Sequence, residues 1–320
     1  MFDQLNGKEH KISITLPADE NGLTSRKCPD IKCSGIFKVK FGTGLKGENI
    51  ACHCPYCGFT GDMGDFNTLD QQKYIESVAL QYVQGIVQEE LKHWGRQIER
   101  SMSGGFLSAK VKVSGHPIPL HIYQEKQIET HVTCEICTLE YAIYGIFAFC
   151  PDCGAHNSLQ ILNKNQELVQ KMLTFAATLQ DQEMGQRLIE NALENTVSSF
   201  DGFGRATSAA FCKKATDPEK AKTLSFQNIL GAQTNVRTLF GYDIASAVEE
   251  GQWEMVNRSF QKRHLISHKM GVIDEDYIKK AKDPTAIIGR KVAIRPDEII
   301  VLTHLLETMG EQFYETVRKL

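Results

Sequence analysis

The chain has 320 residues, of which 42% are hydrophobic, 23% charged and 8% aromatic. These are ordinary values for a globular protein, with room for two domains. A formal net charge of -3 excludes a polycation, so any nucleic-acid contact needs a local patch. No apolar run reaches the ~20 residues of a membrane-spanning helix. The opening MFDQLNGKEHKISITL lacks the basic stretch and apolar core of a secretory signal. The expectation is a cytoplasmic protein with reduced thiols and no membrane contact.

Nine of the ten cysteines precede residue 154. Up to about Asp65 the chain is rich in Gly, Cys and Lys and reads as short strands and turns. Cys28-x4-Cys33 is followed by Cys54-Pro55-Tyr56-Cys57-Gly58. Two close cysteines can turn both sulfurs toward one point, and two such knuckles close a four-sulfur tetrahedron that suits Zn2+. Cys52 and His53 stand close by as spare candidates, with Cys52 read as a buried or free thiol. Residues 24–61 carry six cations (Arg26, Lys27, Lys32, Lys38, Lys40 and Lys46) against Asp30 and Glu48, a net +4 before any metal. Phe37, Phe41, Tyr56 and Phe59 are interleaved, a pattern that can hold phosphates and stack bases, or simply be a solvated lysine surface.

From about Leu69 to Arg100, Ile75, Val78, Ala79, Tyr82, Val83, Ile86, Val87, Leu91, Trp94 and Ile98 recur at helical spacing. Ser103-Gly104-Gly105 ends that helix. Phe106 to Val132 alternate as strands do, with Leu107, Ala109, Val111 and Val113 on one side. The second quartet is Cys134-x2-Cys137 and Cys150-x2-Cys153. The apolar residues 138–149 between its knuckles read as a hairpin. Four protein ligands leave no open position, so both Zn2+ sites are expected to be structural, with no catalytic metal. Residues 129–161 hold no Lys or Arg, so the second ribbon reads as architecture.

Past residue 162 cysteine nearly vanishes and helical periodicity takes over. One helix carries Leu168 to Leu179, the next Met184 to Phe200, and Asp217-Pro218-Glu219 starts a third. A fourth runs from about Gln252 to Met270 and stops at Gly271. The last begins at Pro296 and carries Leu302, Leu306, Met309 and Phe313. The expected fold is mainly α. A zinc-ribbon α+β region (1–162) holds ribbon 1 at about 24–61, a long helix at about 69–100 and ribbon 2 at about 129–161. A helical bundle (163–320) follows. Cys212 reads as core packing.

The fourth helix contains Arg263, His264 and His268. The histidines are one turn apart on one face, with Trp253 and Phe260, and Met255 and Ile266 lie opposite. A helix apolar on two sides is expected to be buried on both. His can take or return a proton, and Arg can stabilise charge on a phosphate. The same three residues could instead hydrogen-bond within a core.

Arg263-x4-His268, with a polar residue directly after the Arg and Lys269 to Asp274 behind it, resembles the signature of the HEPN domain superfamily. The segments Ile189 to Phe200 and Phe226 to Gly231 fit the same pattern, and the resemblance spans about residues 163–320. It implies a bundle that dimerises and joins two such motifs at its interface. It implies a metal-independent endoribonuclease that leaves 2′,3′-cyclic phosphate ends, as in toxin–antitoxin and antiviral defence systems. On that reading RNA is the substrate, the chain is a homodimer, and a regulatory or antitoxin partner is expected. His268 is the main acid/base, Arg263 stabilises the transition state, and His264 orients substrate or shares the proton transfer. Relatives paired with nucleotidyltransferases carry a Tyr two residues after the last His, where this chain has Met270. The alternative is a non-catalytic zinc-ribbon nucleic-acid-binding or adaptor protein that dimerises through its helical domain.

Overall fold

The structure, a computed structural model, describes residues 13–47, 50–102, 112–114, 118–123, 128 and 130–320. The chain divides into two compact units, one of residues 1–146 with 151–154, the other of residues 147–150 with 155–320.

The first unit is built on antiparallel strands: β1 (Thr24–Lys27), β2 (Ile36–Val39), β3 (Ala51–His53), β4 (Thr60–Asp62), β5 (Thr130–Thr133) and β6 (Glu140–Ile143). Four of them form one sheet in the order β1-β2-β6-β5, while β3 and β4 pair separately. β6 lies between β2 (Val39 opposite Tyr141) and β5 (Val132 opposite Tyr141). The segment 138–149 is therefore not a hairpin of its own. Its strand pairs backward across the Cys134–Cys137 turn and with distant β2, because Tyr141, Ala142 and Ile143 are fully buried and need cover on both faces.

The long helix forms as α1 (Leu69–Met102). The expected strand over 106–111 lies outside the described residues. In the described stretches 112–114 and 118–123 the chain is irregular, and Thr130–Thr133 is strand. No helix among the described residues is long and apolar enough to cross a membrane.

The second unit contains α2 (Ser158–Ala176), α3 (Gln182–Ala210), α4 (Pro218–Lys222), α5 (Ile229–Phe240), α6 (Glu250–Lys269), α7 (Glu275–Ala281) and α8 (Pro296–Lys319). Their starts follow local chemistry. The side chains of Asp181, Asp217, Asn228 and Asp274 each accept from backbone amides of the first turn, and Pro218 and Pro296 occupy first-turn positions. The core joins Leu162, Val169, Phe200, Phe203, Phe226, Val256, Phe260, Leu306, Met309 and Phe313. Gly204 in α3 is required by this packing: a Cβ there would meet the Phe226 ring at 2.4 Å. Cys212 sits in the same core, as a small hydrophobe would.

Candidate metal centres and the histidine pair

Each cysteine knuckle closes an antiparallel strand pair or bridge. Cys28 and Cys33 lie at the β1–β2 turn, Cys54 and Cys57 at β3–β4, and Cys134 and Cys137 at β5–β6. Cys150 and Cys153 lie inside the Phe149–His156 bridge. In each knuckle the first cysteine's amide donates across the turn: Cys28 to Gly35, Cys54 to Phe59, Cys134 to Leu139 and Cys150 to Ala155, at 2.7–2.9 Å. The residue after the second cysteine is left-handed every time: Ser34 (φ 46°), Gly58 (69°), Thr138 (63°) and Gly154 (67°). That conformation turns the chain so that both sulfurs face one point.

The structure brings together Cys28, Cys33, Cys54 and Cys57, and separately Cys134, Cys137, Cys150 and Cys153. Within each group all ligand atoms lie within 4.8 Å of one another. Cys28–Cys57, Cys33–Cys54 and Cys134–Cys153 have sulfurs 3.7 Å apart. A disulfide is about 2 Å long, so these are not disulfides. For an ion with bonds to sulfur of about 2.3 Å, a tetrahedral edge is about 3.8 Å. Each quartet therefore fits one tetrahedral metal ion. The two extra residues of the first knuckle are absorbed locally: Ser34 donates to the Asp30 carbonyl, as Gly58 does to Cys54 and Thr138 to Cys134. Cys52 is outside the group and fully buried, and burial pushes its thiol up to about 12. His53 bonds instead to Thr60 (Nδ1 to Oγ1, 2.9 Å).

The charge count of the first ribbon overstates what it offers to a phosphate. Arg26 is buried, donating to the Ser25 carbonyl and to Gln71, with its guanidinium 4.9 Å from the Phe41 ring centre. Lys38 is buried and paired with Asp19 at 2.5 Å, and Lys40 pairs with Glu140 at 2.7 Å. Phe37 is fully buried against Phe66, and Tyr56 donates to the Ile36 carbonyl. Lys27, Lys32 and Lys46 are exposed, and of the aromatics Phe41 and Phe59 are exposed. Of the six cations counted from the sequence, three thus stand exposed and three are engaged within the fold.

In the second unit Arg263, His264 and His268 share the last turns of α6, with the two imidazole centroids 4.8 Å apart. The helix is not buried on both sides along its length. Val256, Asn257, Ser259, Phe260, Lys262 and Leu265 are buried, but His264 and His268 are exposed. The chain turns at left-handed Met270 and Gly271, leaving Met270 on the surface. His264 is held below the ordinary imidazole value by desolvation and then by the charges of His268, Lys269, Lys280 and Arg263. Arg263 is partly buried, and its Nε is buried without a hydrogen-bond partner. Ser267 donates to Glu194 at 2.5 Å, and Lys269 pairs with Asp274.

Sequence reasoning missed Lys280 of α7, whose charge reaches His264 while its ammonium pairs with Asp276 at 2.8 Å. Asn257 of α6 donates to the Lys280 carbonyl at 2.7 Å. The signal was present: Asp274-Glu275-Asp276 before Lys279-Lys280 is the charge order of a short helix. The arrangement offers two adjacent titratable rings and a guanidinium in a cationic setting.

A comparison with protein families, with curated proteins and with solved structures finds no match to the chain.

Proposed function

We propose that the chain is an endoribonuclease in which Arg263, His264 and His268 act at a homodimer interface, and that zinc closes both cysteine quartets as structural clips. The observation that carries the nuclease reading is the exposed histidine pair, 4.8 Å between rings, on the same turns of α6 as Arg263. Desolvation, and then the neighbouring charges, hold His264 below the ordinary imidazole value.

The reaction needs no redox partner. The ribose 2′-oxygen attacks phosphorus while its proton passes to an imidazole. The bond to the 5′-oxygen breaks, and that oxygen takes a proton from an imidazolium. The products are a 2′,3′-cyclic phosphate and a 5′-hydroxyl. His268 is the main acid/base in this scheme, and His264 shares the proton transfer or orients the substrate. Arg263 neutralises charge on the non-bridging oxygens.

The test loads the protein with zinc, removes free metal with EDTA and adds RNA. Wild type is expected to leave cyclic phosphate ends. His268→Ala and Arg263→Ala are each expected to lose about 100-fold or more, the usual worth of a positioned acid or base. Equal cleavage by all three proteins, or tight RNA binding with no turnover, would sink the nuclease reading. For the metal, two equivalents of zinc per chain are expected by elemental analysis. Cys134→Ser is expected to lower this to about one, since three ligands hold zinc far more weakly.

A further inference from the structure

We propose that the segment returning after α7 is an RNA backbone grip, in which Arg290 and Lys291 hold phosphates beside the one attacked at His264 and His268; RNA as the ligand rests on the nuclease reading above.

Positive charge is concentrated here. Residues 258–295 hold ten lysines and arginines against four acids, a net of +6 in a chain whose total is -3. The rest of the chain therefore sums to -9, and this segment is where a polyanion is drawn. Several of its cations are engaged within the fold. Lys262 pairs with Glu298, Lys269 with Asp274 and Lys280 with Asp276. Lys279, Arg290 and Lys291 are exposed and have no ion-pair partner among the described residues.

Backbone bonding sets Arg290 and Lys291 behind the histidine helix. The chain leaves α6 through left-handed Met270 and Gly271, and residues 289–292 return antiparallel along 271–273. Ile273 donates to the Arg290 carbonyl at 2.9 Å, Gly289 to the Ile273 carbonyl at 2.8 Å, and Val292 to the Gly271 carbonyl at 2.8 Å. Lys291 is thereby directly opposite Val272, four residues past His268. The return is fixed to the helix: buried Leu265, Ile273, Tyr277 and Ala281 form one cluster, and Tyr277 donates to Asp283 at 2.8 Å. Cations mounted on packed backbone can hold a strand in register with the reacting phosphate.

The residue types define the contact. The aromatics of residues 258–295, Phe260 and Tyr277, are both buried, so bases have no ring to stack on. The grip is on phosphate and is indifferent to sequence. Met270, Val272, Ile287 and Ile288 are exposed in the same segment, an apolar rim that would suit an acidic protein. The adjoining histidines favour RNA, and the experiment reads the acidic protein as a separate outcome.

The probe is a ~12-nucleotide single-stranded 2′-O-methyl RNA, which has no 2′-hydroxyl to attack. Its fluorescence anisotropy with the zinc-loaded full chain is followed from about 50 to about 400 mM salt. The double variant Arg290→Gln, Lys291→Gln is expected to bind about ten-fold more weakly, or worse, at the lowest salt. It is also expected to lose about 1.4 from the slope of log affinity against log salt, about 0.7 for each phosphate contact. The double variant Lys164→Gln, Lys171→Gln removes the same charge from exposed positions on α2 and is expected to bind as wild type does. Unchanged binding by the first variant, or equal weakening by both, overturns the grip. So does poly-glutamate of equal charge that competes as well as unlabelled RNA, which would show an acidic protein as the ligand. On cleavable RNA the Arg290, Lys291 variant is expected to raise KM with kcat nearly unchanged, the mark of binding lost equally from ground and transition states. Weakened binding by that variant when even wild type cleaves nothing supports the grip and sinks the nuclease reading. Cleavage lost in His268→Ala with binding intact in the Arg290, Lys291 variant does the reverse.

Discussion

His156 is a buried histidine held in its neutral state. Its ring stacks near Phe147 and meets Phe149 and Phe211 edge-on, with centroids 4.9–6.5 Å away. Its Nδ1 accepts from the Ser158 amide at 3.3 Å. Burial pushes the imidazole down to about 4, against 6.5 for the free side chain. The sign follows directly. Above pH 6.5 both folded and unfolded chains hold a neutral ring, and the stability is complete. As pH falls from 6.5 toward 4, the unfolded chain takes up a proton that the fold refuses, and stability is lost. By pH 5 the loss is about 2 kcal/mol at about 1.4 kcal/mol per unit. His156→Phe removes the titration along with the Ser158 acceptor. It is expected to be less stable than wild type at pH 7, with the gap narrowing by about 2 kcal/mol at pH 5. Denaturant midpoints of both proteins at the two pH values check this, and a pH-independent gap would refute it. The comparison of variants cancels any loss of metal shared by both.

At the scale of elements, the four knuckles repeat one solution with different residues. Each needs a left-handed residue after its second cysteine. Glycine takes that conformation freely at Gly58 and Gly154, while Thr138 takes it at φ 63° with a branched Cβ. Thr138→Gly is therefore expected to stabilise the β5–β6 knuckle by about 0.5–1 kcal/mol. The relieved strain, of order 1–2 kcal/mol, exceeds the entropy that glycine adds to the unfolded chain. A thermal-melt comparison of zinc-loaded proteins decides it, and a lower melting temperature for the glycine variant would refute it. The knuckles were legible in the sequence because their geometry lies within six residues. The helix start at Asp217 is visible for the same reason. The burial of α6 was not, since periodicity shows which residues share a face but not where along the helix the cover ends. Nor was the charge of the first ribbon, because Lys38 and Lys40 are neutralised by Asp19 and Glu140, and Glu140 lies 100 residues away.

At the scale of the whole molecule, the two units depend on different forces. Strands of three or four residues are too short to stand alone, so the first unit leans on its sulfur clips. The second unit has a core drawn wholly from residues 162–317, with Cys212 in it as packing. That difference predicts how fragments behave. A chain of residues 155–320 keeps every residue of that core and all of Arg263, His264 and His268, and gives up the ring contacts of Phe147 and Phe149 to His156 and Phe211 and the hydrogen bonds of Ala148 with Asn157 and of Cys150 with Ala155. It is expected to bind no zinc at the quartets, to show a cooperative helical melt in the presence of EDTA, and to keep the RNA cleavage proposed for the full chain. A chain of residues 13–146 keeps Cys134 and Cys137 without their partners. It is expected to bind one zinc tightly, through Cys28, Cys33, Cys54 and Cys57, and to unfold on chelation. Circular dichroism melts with and without EDTA, together with zinc counts, read both outcomes. A 155–320 fragment that melts without a cooperative transition would show that its core needs the metal-clipped unit to hold its shape.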